Sequence, residues 1–146
     1  VPPPDHKRLA RLQRLEKVRA IAKQTAVAAA AEAEGTLSQL LALAERTGRM
    51  VDDYAARRDM TDGHALRQLA SFRAGLEGVS DGTRSDAERA KTFADLKMRE
   101  LSEAERRRQA VEDRARAEAK AIASAGQQTP LGARRGAEKA TGTELE

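Results

Sequence analysis

Between Ala26 and Tyr54 the residues Ala26, Ala30, Ala33, Leu37, Leu40, Ala44, Thr47, Val51 and Tyr54 recur at alternating steps of four and three. This spacing draws one stripe along an α-helix for four repeats, and such a seam is stable only when another helix covers it. A second seam runs through Ala87, Ala90, Ala94, Lys97, Leu101, Ala104, Arg108, Val111, Ala115, Glu118 and Ile122. Between them, Asp59-Met60-Thr61-Asp62-Gly63-His64 interrupts the helix-favouring sequence with turn-forming residues. The expected fold is all-α, a long antiparallel two-helix coiled-coil hairpin over residues 5–126 that turns at about 59–64.

Composition argues for the same answer. Of 146 residues, 34% are charged and 2% aromatic, with no Trp, two Phe and one Tyr. That leaves little bulk for a globular core, whereas Ala, Glu, Arg, Leu and Lys are the residues of long helices. Cysteine is absent, which removes disulfides, thiolate metal sites and a Cys nucleophile and is compatible with the cytosol. The first residues lack the apolar core of a secretory signal, and the Ala-rich run Ala26–Ala31 is far short of the ~20 residues that span a bilayer. A soluble, cytoplasmic protein is expected.

Three prolines followed by Asp5 predict a disordered start over 1–4 and an N-cap at residue 5. The early apolar positions of the first helix are Leu9, Leu12, Leu15, Val18 and Ala22. Joining Ala22 to Ala26 and Ala30 takes two successive steps of four, a stutter that locally unwinds a coiled coil. Beyond the turn, Ala65, Leu66, Leu69, Phe72, Leu76 and Val79 continue a helical pattern. The stretch Gly78–Ser85 favours a continuous helix, with a break and a fresh start at the Ser85/Glu88 capping box as the alternative. Gly126 is the expected helix stop, and 127–146, without periodicity, is expected to be a disordered tail.

A turn centred on Gly63 makes the numbers of facing residues add to about 126, since both helices rise by about 1.5 Å per residue. Tyr54 then faces Phe72, Met50 faces Leu76, Thr47 faces Val79, Leu37 faces Ala90, Ala26 faces Leu101, Leu15 faces Val111 and Leu12 faces Ala115. The seam is thin: its alanines bury little area, and Lys97, Arg108 and Glu118 occupy positions where an aliphatic side chain is usual. Such a helix pair is expected to rely on a partner.

No catalytic, cofactor or metal site is read from the chain. It has no glycine-rich phosphate loop, His6 and His64 stand at opposite ends of the expected hairpin, and Glu100, Glu103, Glu105, Glu112 and Asp113 interleave with Arg as on a solvated helix face. Two features remain. Residues 1–25 hold Lys7, Arg8, Arg11, Arg14, Lys17, Arg19 and Lys23 against Asp5 and Glu16, which fits a solvated face or an acidic protein surface better than nucleic acid, since no aromatic side chain there stacks on bases. Near the turn, Leu43, Met50 and Tyr54 with Phe72, Leu76 and Val79 form an apolar band wider than a two-helix seam needs.

The long basic first helix, Leu40–Tyr54 before a glycine turn, the run Leu69-x-x-Phe72-x-x-x-Leu76-x-x-Val79 and the later Glu105-Arg106-Arg107-Arg108-Gln109-Ala110-Val111-Glu112 together resemble the FliJ family of flagellar export stalk proteins and its injectisome YscO-like relatives. The resemblance covers residues 7–124. It implies a non-enzymatic stalk of a bacterial flagellar or type III export apparatus, cytoplasmic and peripheral at the inner membrane. Such a stalk binds the hexameric export ATPase, promoting its assembly, and the cytoplasmic domain of the export gate; some members also handle export chaperones. Carried over, the gate-binding patch falls on Leu43, Thr47, Met50, Tyr54, Phe72, Leu76, Val79 and Thr83, and the ATPase-facing end on Lys7, Arg8, Arg11 and Arg14. The competing expectation is a self-associating coiled-coil scaffold with no export role.

Overall fold

The computed structural model describes residues 3–57 and 62–140, with side chains excepted for 129–140. Two helices, α1 (His6–Ala55) and α2 (Gly63–Ala140), pack against each other as a hairpin. The expected turn residues Asp59, Met60 and Thr61 lie outside the described residues, as do the ends 1–2 and 141–146 that were expected to be disordered.

Each helix starts where a carboxylate can cap it. Asp5 Oδ1 accepts the Lys7 N–H at 2.9 Å while its carbonyl accepts the first helical bond, from Leu9 N at 3.0 Å. Asp62 does the same for α2: Oδ1 accepts from Ala65 N at 2.7 Å and the carbonyl from Leu66 N at 3.2 Å. α2 is continuous through Gly78, Gly82 and Ser85, so the capping box opens no new helix. α2 also does not stop at Gly126 but runs on to Ala140. No described glycine has a positive φ, so Gly126 lacks the left-handed conformation by which glycine ends a helix.

The chain divides into two compact units, one built from Val1–Gln24 with Glu103–Glu146 and the other from Thr25–Ser102. In Thr25–Ser102 every residue of the expected first seam, Ala26 to Tyr54, is buried or half-buried, and so are Ala87, Ala90, Ala94, Lys97 and Leu101. The core is small-residue: Ala30, Ala33, Ala87 and Ala94, with Thr47, Ser80 and Thr83 only 4–7% exposed. The Thr47 hydroxyl donates to the carbonyls of Leu43 and Ala44, and that of Thr83 to Val79, so both are satisfied within their own helix. From Val51 and Leu76 onwards, the buried and half-buried seam positions of α1 and α2 match one to one where their numbers add to 127, as do Thr47 and Ser80, Ala44 and Thr83, Leu37 and Ala90, Ala26 and Leu101.

Two expected pairs are corrected by this register. Thr47 is buried and so is Ser80, whereas Val79 is exposed, and Val51 rather than Met50 is half-buried, as is Leu76. The inward positions of α2 here are Leu69, Leu76, Ser80 and Thr83, a regular heptad spacing that leaves Phe72 and Val79 one position outside it. Tyr54 and Phe72 do meet, with ring centroids 4.8 Å apart and planes tilted by 56°.

The unit of Val1–Gln24 and Glu103–Glu146 carries the larger correction. Leu9 and Leu12 lie inward as expected, but Leu15, Val18 and Ala22 are exposed, and Glu16, Arg19, Ala20 and Lys23 are half-buried instead. There is no stutter in α1; the seam runs 9, 12, 16, 19, 23 in unbroken heptads. Part of the charge in this unit is met on α2: Lys23 pairs with Glu105 at 3.0 Å, and Glu118 receives both Arg8, at 3.8 Å, and the Asp5 N–H, at 2.7 Å. Glu16 thereby takes the inward position expected for Leu15, while Leu12 stays inward and Val111 and Ala115 are buried on α2.

Candidate functional site

Helix geometry decides which side chains near the turn can reach a partner. Residues one position before the seam flank it on one side, and in an antiparallel pair these flanks from both helices lie on the same side. Leu43 and Met50 precede Ala44 and Val51, and Val79 precedes Ser80, with Phe72 seven residues earlier. These four are 38–56% exposed and form an apolar flank, edged by half-buried Tyr54 and Leu76. Thr47 and Thr83, the remaining two of the eight expected patch residues, are buried between the helices and are not available to a partner.

The other flank is polar. Gly48, Asp52, Glu77, Asp81 and Arg84 line a shallow depression of about 260 Å³, and Arg84 reaches over Gly48, where a Cβ would stand 3.7 Å from its guanidinium. One side of the turn end is thus aliphatic and aromatic, the other charged.

Phe93, the second phenylalanine, extends the apolar flank and was not singled out in the sequence. It is 52% exposed and, with Ala29, Ala33, Thr36 and Ala90, lines a groove of about 600 Å³, its ring 5.2 Å from the Lys97 ammonium. The signal was available: Phe72, Val79 and Phe93 are separated by multiples of seven. The small residues Ala29, Ala33 and Ala90 leave room for the groove, which Glu32, Arg89 and Lys97 also line.

At the other candidate site, Lys7, Arg11 and Arg14 are exposed and Arg8 is half-buried. Arg8 is committed to Glu118, and Arg14 Nε donates to the carbonyl of Ala10 at 3.3 Å. The same unit holds an ionic cluster on α2. Arg108 engages Glu105 at 3.0 Å and Glu112 at 2.8 Å, and Glu112 also accepts from Arg116 at 2.8 Å. Hydrogen bonds from Arg108 and then Lys23 hold the Glu105 carboxyl down at about 2, and those carboxylates in turn raise the Arg108 pKa. Arg19, half-buried in the same unit, has its Nε enclosed with no hydrogen-bond partner among the described residues.

Among the described residues no three His, Cys, Asp or Glu side chains are grouped to hold a metal ion, and no helix is long and apolar enough to cross a membrane. No protein-family model, no curated protein and no solved structure matches the chain.

Proposed function

We propose that this chain is a stalk component of a bacterial flagellar or injectisome export apparatus, acting without chemistry of its own. The observation that carries the reading is the apolar flank of Leu43, Met50, Phe72 and Val79 beside Tyr54 and Leu76. Side chains of that size left half in water on a helix pair so poor in bulky residues suit a docking patch for the export gate. Thr47 and Thr83 support this patch from within rather than touching the partner.

The basic end, Lys7, Arg8, Arg11 and Arg14, faces the export ATPase in this reading. Two helices of unlike surface inside a symmetric ring contact its subunits unequally, and only such differential contacts can shift subunit conformations. The protein would then act in the cytoplasm and reach the inner membrane only through the gate.

Pull-down of the cognate ATPase and of the gate's cytoplasmic domain tests the reading. Binding of both is expected, with stimulated ATP hydrolysis; failure to bind either, with hydrolysis unchanged, removes it. Met50→Ser with Val79→Ser should weaken gate binding at least tenfold while helicity is retained, because neither side chain lies in the seam. A second reading, a self-associating scaffold, is favoured by exposed Phe93, Leu96 and Met98 on α2. Sedimentation separates the two: a concentration-dependent dimer supports the scaffold, a monomer the stalk.

A further inference from the structure

Within Val1–Gln24, α1 places charge inward and aliphatic bulk outward over the same stretch. Glu16, Arg19 and Lys23 occupy the seam, whereas Leu15, Val18 and Ile21 are 40–64% exposed. Turning α1 by one residue, about 100°, would bring Leu15, Val18 and Ala22 into the seam in place of Glu16, Arg19 and Lys23. The outward stripe has an extension in the N-terminal direction: Lys7, Arg11, Arg14, Val18 and Ala22 follow at steps of four and three, which keeps them on one side of the helix. Among the described residues Lys7, Arg11 and Arg14 enter no ion pair. The outer face of this unit is therefore a basic turn leading into a narrow aliphatic stripe.

We propose that this face docks an amphipathic helix of a partner protein, one whose apolar stripe ends in a turn rich in glutamate or aspartate. The spacing suits a helix, since side chains at steps of three and four form the ridges that interlock with another helix. Charge selects the acidic end, because Lys7, Arg11 and Arg14 have no carboxylate of their own to satisfy them. A second copy of this chain fits poorly: parallel pairing brings the basic turns together, and antiparallel pairing lays each on the other's aliphatic stripe. A bilayer fits poorly as well, because the stripe is narrow, residues 6–24 contain no Phe, Tyr or Trp, and the opposite side of α1 is packed on α2. The surface shares Lys7, Arg11 and Arg14 with the ATPase-facing end proposed above but adds Leu15, Val18 and Ile21, and its test uses no export protein.

The test is fluorescence anisotropy of the full chain with two labelled helical peptides. Both carry leucines at steps of three and four; one ends in glutamates, the other in lysines. The glutamate peptide should bind at least tenfold more tightly than the lysine peptide. Leu15→Ser/Val18→Ser/Ile21→Ser should weaken it at least tenfold with helicity unchanged. Arg11→Glu/Arg14→Glu should reverse the preference between the peptides, a result that loss of folding cannot imitate. No binding of the glutamate peptide, equal binding of both peptides, or indifference to the variants overturns the proposal. So does a dimer abolished by the triple serine variant, which assigns the face to a second copy, or tighter binding to phosphatidylserine/phosphatidylcholine vesicles than to either peptide, which assigns it to a membrane.

Discussion

Tyr54 shows how much one aromatic side chain can do in a seam built of alanine and threonine. Its ring lies 4.8 Å from that of Phe72, and the Arg57 guanidinium lies 4.2 Å from its centroid. Aromatic pairs add about 0.5–1.5 kcal/mol beyond their buried area. Phe72→Ala should therefore cost roughly 1–2 kcal/mol of unfolding free energy, less than a fully buried phenylalanine, because half of the ring already faces water; urea denaturation measures it. Glu105 gives a pH prediction. Its carboxyl is held below the ordinary carboxylate value, at about 2, by Arg108 and Lys23. A group whose pKa is lower folded than unfolded contributes stability above its unfolded value and loses it as pH falls through the folded one. Acid titration followed by circular dichroism should show a stability loss between about pH 4.5 and 2 that Glu105→Gln reduces. Arg19 points the other way. With Nε enclosed and unbonded in a seam position, Arg19→Leu should raise stability by roughly 1 kcal/mol or more.

At the scale of the element, both helices continue through places where local preference is weakest. Gly78 and Gly82 lie inside α2 with no positive φ and no atom within 4 Å of where a Cβ would stand. Neither conformation nor space demands glycine there, so Gly78→Ala and Gly82→Ala should each raise the unfolding free energy by roughly 0.5–1 kcal/mol, read as a higher melting temperature. The element boundaries were legible where a side chain makes them: Asp5 follows three prolines, and Asp62 stands three residues before the N–H it accepts. Gly126 was misleading because glycine ends a helix only when it turns left-handed, a property of the backbone and not of the residue type. The phase of each seam was legible from Ala26 to Tyr54 and from Ala87 to Ile122, where enough apolar residues repeat to carry it across Lys97, Arg108 and Glu118. It was misread at Leu15, Val18 and Ala22, where hydrophobicity pointed one way and the geometry of an uninterrupted heptad the other.

At the scale of the whole molecule, the hairpin of two long helices follows from two seven-residue patterns and one interruption, because each stripe demands a cover and the other is the nearest available. That much belongs to the sequence by itself. Which side chains remain for a partner is a different question, and only packing answered it. Of the eight residues expected at the turn end, Thr47 and Thr83 are consumed by the helix interface while Leu43, Met50, Phe72 and Val79 stay exposed. Phe93 joined them only when seam and flank were told apart. The same holds for Leu15, Val18 and Ala22, which a pattern of hydrophobicity assigns inward and the structure leaves outward. Periodicity records that a residue lies on some face of a helix, but a face becomes buried or free only through what sits opposite it. Here Glu16, Arg19 and Lys23 lie inward, Lys23 met by Glu105 on α2, and the aliphatic face of Leu15 and Val18 is left to solvent.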